Sequence, residues 1–253
     1  MITQHIENAT ALRGPTNAHG WFVFTLPSKF IRIEEAVSQI RDGAVVMIGG
    51  FGAPGTPFLL IEELVRQGPR HLTIIKNDAN ETGSGVDWLL ENGQVDRIIT
   101  SHIGLNSNAV HMMNEERIDV EFVPQGILAE RIRTAGAGLI GFVTDVGIDT
   151  EIATGKQCVE VGEKVGILET ALAADFALVH AAKSDPFGNL TFSATARDFN
   201  PIMAMAAGQT IVEAEECVSL GDIAPDHVHL PGNFVDHVID MFELLEVPNV
   251  VGR

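Results

Sequence analysis

A run of glycines directly after a short apolar segment is the feature of this sequence with the clearest chemical use. Val45–Ile48 is a run of β-prone residues, and the next seven residues read Gly-Gly-Phe-Gly-Ala-Pro-Gly. Because glycine has no Cβ, the backbone N–H groups of such a loop can closely approach a bound anion. We therefore expect a ligand to contact this loop, which consists of Gly49, Gly50, Phe51, Gly52, Ala53, Pro54 and Gly55.

The first candidate ligand is a dinucleotide. The spacing of Gly50, Gly52 and Gly55 matches the G-x-G-x-x-G fingerprint, and Asp78 ends the next strand-like run, where a ribose-binding carboxylate is expected. The third glycine of that fingerprint lies inside the helix. Gly55 instead precedes the predicted helix, because Thr56–Pro57 pairs a good N-cap with a proline suited to the first helical position. An NAD(P)-dependent dehydrogenase using this loop remains the alternative.

The elements around the loop alternate between helix and strand patterns. The predicted helices are Ile33–Arg41, Phe58–Gln67, Val86–Asn92 and Ala109–Asn114. The predicted strands are Val45–Ile48, Leu72–Ile75, Arg97–Thr100, Val120–Val123, Gly138–Val143, Phe176–Ala181 and Thr210–Glu213. Several strands are continuous apolar runs, which is typical of strands buried on both faces. We therefore predict an α/β fold with an open, mostly parallel sheet and helices on both faces.

Two neutral polar residues also follow predicted strands. Asn77 comes after the second strand, and Gln125 follows Val120–Val123. Ligands of open parallel sheets bind beyond the carboxyl ends of the strands, so both residues should meet the glycine loop at one rim. There they could orient a carboxylate or carbonyl without competing charge, or equally satisfy local backbone groups.

Composition excludes several classes of function. A formal net charge of −18 argues against nucleic acid and anionic membrane surfaces, which need clustered Lys and Arg. No apolar run is long enough to span a bilayer, and the N-terminus lacks a secretory signal pattern. The two cysteines do not suggest a disulfide framework, so we expect a cytoplasmic protein. His227 and His229 alone are weak evidence for a metal, and we predict none.

Several spaced motifs accompany the glycine loop, in a fixed order. They are Asp42-Gly43, Gly49-Gly-Phe51 with Gly55 and Pro57, Ile75-Lys-Asn-Asp-Ala79, Val123–Arg133 with Gly136-Ala-Gly138, Asp185–Thr191 and Ala196–Pro201. Together they resemble the A (alpha) subunit of the family I coenzyme A transferases over roughly residues 31 to 240. Lys76 and Asp78 depart from that family's Ser-Asn-Asn-Ala element. We expect residues 1–30 to form an irregular extension and residues 31–253 a single domain.

The resemblance implies a function and a partner. It implies transfer of coenzyme A between a short-chain acyl-CoA or 3-oxoacyl-CoA and a free carboxylate, by ping-pong kinetics through a glutamyl-CoA thioester. The glutamate would belong to a B subunit, in an αβ or α2β2 assembly. Coenzyme A would be a substrate, with no permanently bound cofactor, and Gly49–Gly55 would contact it and help form the oxyanion hole. A non-catalytic acyl-CoA-binding protein is a further alternative.

Glu91 resembles the family's nucleophile only superficially. Glu91-Asn92-Gly93 repeats the Glu-Asn-Gly that surrounds that glutamate, but Leu90 precedes it where the B subunit has Ser. Gly93 would also end a helix here, which makes Glu91 a surface residue beside a helix stop. We therefore assign no catalytic residue to this chain.

Overall fold

The computed structural model describes residues 28–242, which hold six α-helices and eleven β-strands. The helices are α1 Ile33–Val37, α2 Phe58–Gln67, α3 Val86–Glu91, α4 Ser107–Asn114, α5 Gln125–Gly136 and α6 Asn200–Ala206. The strands are β1 Val45–Ile48, β2 Leu72–Ile75, β3 Val95–Thr100, β4 Asp119–Phe122, β5 Gly141–Thr144, β6 Cys158–Val161, β7 Lys164–Thr170, β8 Ala174–Ser184, β9 Leu190–Thr191, β10 Ala207–Cys217 and β11 His237–Asp240. Most of the predicted 1–30 extension lies outside the described residues.

The main sheet confirms the predicted α/β class. Its strands run in the order β11-β10-β8-β1-β2-β3-β4, and all of these neighbours pair in parallel. The short β9 pairs antiparallel with β8. Strand β1 lies between β8 and β2, and Val46 is opposite both Phe176 and Ile74. The glycine loop therefore leaves the sheet near its centre, where neighbouring loops surround it.

Helices cover both faces of this sheet, as predicted. One core layer packs Ile48, Leu178 and Ile211 against α1 to α4. The other packs Met47, Val179 and similar residues against α5 and α6. Alternate residues of one strand supply the two layers because successive side chains point to opposite faces. Both faces of the central strands are thus buried, which explains their continuous apolar sequences.

A second, three-stranded antiparallel sheet was not predicted. Its order is β5-β7-β6. The predicted strand Gly138–Val143 was wrong in its bounds, because β5 runs over Gly141–Thr144, and β5 belongs to this smaller sheet. Gly138 instead follows Ala137, the C-cap of α5, and has a positive φ of 72°. Most residues of β6 are exposed, so the strand lacks the buried run that identified strands of the main sheet.

Other boundaries differ from prediction for local reasons. The first helix ends at Val37 rather than Arg41, and the Ser38 hydroxyl donates to the Glu35 carbonyl 2.8 Å away. Such side-chain bonds compete with helix continuation. Ile40 stays buried without being helical, which explains why the apolar period ran past the helix end. No helix of residues 28–242 combines the length and apolarity needed to cross a membrane.

Candidate functional site

Three of the sequence motifs meet at the carboxyl rim of the main sheet. The Gln125 Nε2 donates to Asn77 Oδ1 over 2.8 Å. The Gly52 N–H donates to Asp78 Oδ2, also over 2.8 Å. Asn77 is wholly buried and Gln125 is the first residue of α5. The loop after β1, the end of β2 and the start of α5 thus form one connected site.

Glycine is required in the loop for steric reasons. Gly50 has a φ of 98° and Gly55 a φ of 73°, both in the region that favours glycine. A Cβ on Gly49 would lie 1.8 Å from the Asn200 Oδ1, and one on Gly50 would lie 2.4 Å from the Thr56 Oγ1. The loop therefore packs tightly on its own far side and on the start of α6.

Hydrogen bonds within the loop hold its shape. The Phe51 N–H donates to the Pro54 carbonyl, and the Thr56 N–H donates to the Ala53 carbonyl, each over 3.1 Å. The Thr56 hydroxyl donates to the Gly52 carbonyl over 2.6 Å. Phe51 is 47% exposed at the outer side of this turn. Many loop amides are therefore engaged inside the protein, while Phe51, Ala53 and Pro54 face outward.

The predicted cap of α2 was wrong in its mechanism. Thr56 is not the N-cap: Pro57 occupies that position without a side-chain cap, and Phe58 is the first helical residue. The Leu60 N–H lies in the first turn, where N–H groups have no acceptor within the helix. It donates to Glu213 Oε2 of β10 over 3.0 Å. A carboxylate distant in sequence thus caps this helix, where negative charge is favoured by the helix dipole.

A buried ion pair lies beneath the loop. Lys76 is wholly buried, and its Nζ lies 3.2 Å from Asp78 Oδ1 and 3.4 Å from the Gly50 carbonyl oxygen. Burial lowers the pKa of Lys76, against the opposing effect of Asp78 and Asp198. Burial alone would raise the pKa of Asp78, but Lys76 and the surrounding N–H donors hold it below its usual range. Each member of the pair therefore opposes the effect of burial on the pKa of the other.

Asp198 is a second carboxyl group beside the loop. Burial raises its pKa to about 6, although the backbone N–H groups of Phe199, Asn200 and Gly50 and the charge of Lys76 oppose this. Its Oδ2 is buried and has no hydrogen-bond partner within the described part of the chain. A buried oxygen in this state favours the protonated carboxyl group.

We expect Asp198→Asn to change how stability depends on pH. The folded-state pKa lies above the unfolded value, so the stability from the protonated carboxyl is complete below about pH 4 and is lost as pH rises through about 6. Asn keeps the neutral form at every pH. As pH rises from 4 to 7, the free energy of unfolding of the variant should increase by about 1–2 kcal/mol relative to that of wild type. This is less than the full effect of the pKa shift because Asp198 is partly exposed to solvent.

Urea unfolding of both proteins at pH 4, 5, 6 and 7 measures this difference. Asp226→Asn, which removes an exposed carboxylate, controls for the loss of surface charge. A difference between Asp198→Asn and wild type that stays constant over this range would contradict the assignment.

Three further polar residues have side chains that could contact phosphate or a partner. Asn200 instead holds the loop: it is buried, and its Nδ2 donates to the Gly55 carbonyl over 3.0 Å. Lys183 forms an exposed ion pair with Glu216 at 2.7 Å. Arg197 is exposed and ends the 3-10 turn Ala194–Arg197. The carbonyl of the preceding residue, Ala196, lies against Gly55, so the backbone next to Arg197 contacts the loop.

A histidine between two glutamates was not recognised from the sequence. His180 Nδ1 lies 2.9 Å from Glu213 Oε1, and its Nε2 lies 3.0 Å from Glu215 Oε1. Burial would lower the pKa of His180, but the two carboxylates raise it overall. Glu213 is 1% exposed, so it is not a solvated acidic residue. In sequence His180 is more than 30 positions from either glutamate, and only the pairing of β8 with β10 brings them together.

Glu91 lies far from this site. It is the last residue of α3, so it lies near the amino edge of the sheet, opposite the glycine loop. Close by, Gln94 Nε2 donates to the Pro69 carbonyl just after α2, over 3.1 Å. Glu91 lines an open surface pocket of about 610 Å³ together with Trp88. Leaving Glu91 out of the catalytic assignment stays a prediction.

The histidine pair near the C-terminal end has a structural use. His229 Nδ1 accepts a hydrogen bond from the Phe192 N–H over 2.9 Å, and the two rings stack. Burial, Arg197 and His227 lower the pKa of His229. Within residues 28–242 there is no cluster of three or more His, Cys, Asp or Glu side chains that could hold a metal ion.

Comparisons with known proteins agree with the motifs. The coenzyme A transferase family model matches residues 30–241. The chain is 43% identical to the alpha subunit of acetate CoA-transferase from Escherichia coli (strain K12), over 85% of this chain and 97% of that protein. It is 44% identical to the A subunit of a probable succinyl-CoA:3-ketoacid coenzyme A transferase from Bacillus subtilis (strain 168), over 81% of this chain and 87% of that protein.

The fold is also similar to solved structures. An acyl-CoA transferase from Escherichia coli O157:H7 superposes with a TM-score of 0.74 at 24% identity. The alignment covers 84% of this chain and 47% of that one, so this chain spans about half the length of that enzyme. The family model covers most of the sequence and the alpha-subunit relatives match nearly end to end. The chain belongs to the coenzyme A transferase family, among its A (alpha) subunits.

Proposed function

We propose that this chain is the A subunit of an enzyme that transfers coenzyme A between a short-chain acyl-CoA or 3-oxoacyl-CoA and a free carboxylate. A B subunit would supply the nucleophilic glutamate, in an αβ or α2β2 assembly. Coenzyme A would act as a substrate, without a resident cofactor. The observation that carries the proposal is the connected rim in which Gln125 bonds Asn77 beside the glycine loop.

The chemistry explains why an enzyme carboxylate is useful. Attack of the glutamate on the thioester carbonyl gives a tetrahedral oxyanion, which expels the coenzyme A thiolate and leaves an acyl-glutamyl anhydride. The thiolate then attacks the glutamyl carbonyl, which forms the enzyme thioester and releases the first carboxylate. The acceptor carboxylate reverses these steps and leaves as the new acyl-CoA. One difficult exchange is thereby divided into similar, easier steps.

In this mechanism the loop Gly49–Gly55 would contribute backbone N–H groups and would allow the substrate to lie close to the backbone. Because the amides of Gly49, Phe51, Gly52 and Thr56 are engaged within the fold, we assign the ligand-facing role chiefly to the exposed turn at Ala53. A donor aimed at the developing oxyanion is worth roughly 3 kcal/mol. The corresponding loop of the B subunit would supply the rest of the oxyanion hole.

Asn77 and Gln125 would orient the substrate carboxylate or carbonyl. Their hydrogen bond uses Asn77 Oδ1, and Asn77 Nδ2 donates to Asp78 over 3.1 Å, so Asn77 is held by its neighbours. Gln125 is the more accessible of the two, at the start of α5. Arg197, exposed beside the loop, is the local cation that we assign to the coenzyme A phosphates despite the net charge of −18.

The acyl group is not decided by similarity. The relatives named for acetate and for succinyl-CoA with a 3-keto acid are 43% and 44% identical, so neither substrate is favoured. The proposal therefore covers acetate, butyrate, acetoacetate, succinate and 3-oxoadipate as acceptors to be compared in one assay.

An acyl-CoA exchange assay tests the proposal. This chain is measured alone, with its B subunit, and with a B subunit whose proposed nucleophilic glutamate is changed to alanine. Only the complete, unmodified pair should transfer coenzyme A, with parallel lines in double-reciprocal plots. Full activity from this chain alone would overturn the dependence on a second chain. Binding of NADH without any thioester chemistry would favour the dehydrogenase, although Asp78 is already engaged by Gly52 and Lys76 rather than open to a ribose.

A further inference from the structure

The carboxylate of Asp78 accepts four hydrogen bonds and is almost completely buried. Its Oδ2 accepts from the Gly52 N–H and from Asn77 Nδ2, at 2.8 and 3.1 Å. Its Oδ1 accepts from the Asn80 N–H and from Lys76 Nζ, at 2.9 and 3.2 Å. The group therefore connects the glycine loop to the end of β2.

Only an ionised carboxylate can make all of these contacts. Each oxygen faces at least one backbone N–H, and a carboxylate accepts at both oxygens. An asparagine of the same shape would turn its NH2 group toward one of those N–H donors. Either Gly52 or Asn80 would then lose its partner and face a repelling donor. The substitution Asp78→Asn thus conserves volume but breaks the connection.

Lys76 supplies the countercharge that such a buried carboxylate needs. Its own side chain has no solvent contact, and its Nζ also lies near the Gly50 carbonyl oxygen. The ion pair therefore contacts the loop at two points, the carbonyl of Gly50 and the N–H of Gly52. A buried charge without its partner is costly, so the two residues act together.

Asn80 supports the same loop from its other side. Its Nδ2 donates to the Gly52 carbonyl over 2.9 Å, while its own N–H is held by Asp78. Both polar groups of the Gly52 peptide segment are thus fixed by residues just after β2. A Cβ on Gly52 would meet nothing within 4 Å, so packing does not fix this residue. Hydrogen bonds to Asp78, Asn80 and Thr56 do.

We propose that Asp78, paired with Lys76, is a positioning residue that fixes the direction of the Gly52 amide and with it the ligand-facing turn of the glycine loop. This inference rests on the proposed function, in which that turn lines the reacting thioester. Asp78 acts through the loop and touches no reacting atom. A small displacement of groups near a reacting centre can reduce the rate about 100-fold.

Kinetics of the complete enzyme test the positioning role. With the B subunit, Asp78→Asn should lower kcat by about 10- to 100-fold, with KM changed less than about threefold. Glu169→Gln is the matched control, since Glu169 is another buried carboxylate paired with a lysine, Lys156, but lies in β7 of the small sheet. This control should lower the thermal midpoint and leave kcat within about twofold of wild type.

A spectroscopic measurement observes the loop independently of turnover. Labelling with carbonyl-¹³C phenylalanine and ¹⁵N glycine selects Phe-Gly pairs, and the sequence has two, Phe51-Gly52 and Phe187-Gly188. The Gly52 amide proton should resonate downfield and exchange slowly, because it bonds a carboxylate. In Asp78→Asn that signal should move upfield. The Gly188 signal, whose N–H bonds the Asp185 backbone carbonyl, should stay in place.

The outcomes separate the two proposals. Loss of kcat together with the Gly52 shift supports the positioning role. Unchanged kcat in a folded but less stable Asp78→Asn protein would overturn it, as would a Gly52 signal that does not move. If Asp78→Asn does not fold, rapid exchange of the wild-type Gly52 amide would also overturn it, and slow exchange would support it. Inactivity of the wild-type pair would refute the proposed function, while the Gly52 measurements would still test the hydrogen bond.

Discussion

Replacement of Gly50 by alanine should destabilise this protein by about 4 kcal/mol. The new Cβ would lie 2.6 Å from the Thr56 backbone nitrogen and 2.8 Å from its Cα, so a side-chain movement cannot relieve the contact. Gly50 also has a φ of 98°, which an L-residue adopts only with strain. Overpacking and backbone strain each cost about 1–3 kcal/mol, and both act at this position.

Gly43→Ala separates these two effects. Gly43 has a φ of 78°, but a Cβ there would meet nothing within 4 Å. This control should therefore be destabilised only by the backbone strain of a positive φ, which costs about 1–2 kcal/mol. Urea unfolding of both variants and wild type gives the comparison. If Gly50→Ala costs no more than Gly43→Ala, the tight packing of the loop on Thr56 is wrong. With the B subunit, a folded Gly50→Ala protein should also lose most of its transferase activity.

Glu213→Ala should cause the second largest loss of stability, about 3 kcal/mol in the free energy of unfolding. The buried carboxylate caps α2 through the Leu60 N–H and bonds His180, so its loss leaves both donors without this acceptor. Removing one member of a buried charged pair typically costs about 3–5 kcal/mol. We place the value at the lower end because His180 can lose its proton. Its partner Glu215 also remains.

Two further variants and pH distinguish the causes. Glu216→Ala removes an exposed carboxylate of the same strand, paired with Lys183, and should cost less than about 1 kcal/mol. Glu213→Gln keeps the shape but not the charge. Because the folded-state pKa of His180 is raised by Glu213 and Glu215, the charged pair stabilises fully below the unfolded pKa of about 6.5. That contribution is lost as pH rises through the folded value.

The loss of stability of Glu213→Gln relative to wild type should therefore be largest near pH 6 and become smaller toward pH 9. Unfolding in urea at several pH values measures it. A deficit that grows with pH would contradict the assigned direction of the His180 pKa.

The sequence by itself determined the strand, loop and helix around the glycines. Helix α2 was predicted with both observed ends, Phe58 and Gln67, because an amphipathic period is bounded by a proline and by Gly68-Pro69. Local steric rules decide such features. The parallel class followed from continuous apolar strands, and that class alone implied that Asn77 and Gln125 would lie at one rim. The spaced motifs identified the family.

Tertiary structure alone decided which groups hold the loop. The cap of α2 comes from Glu213, more than 150 positions away, and Asn200 reaches Gly55 across 145 positions. No local pattern encodes such pairs, since they depend on which strands become neighbours. The same holds for Lys76 and Asp78. In sequence they are two charged residues near a strand end, whereas in the fold they form a buried ion pair beneath the glycine loop. Burial converts those two charges from surface features into determinants of the loop's shape, because a buried charge must find its partner.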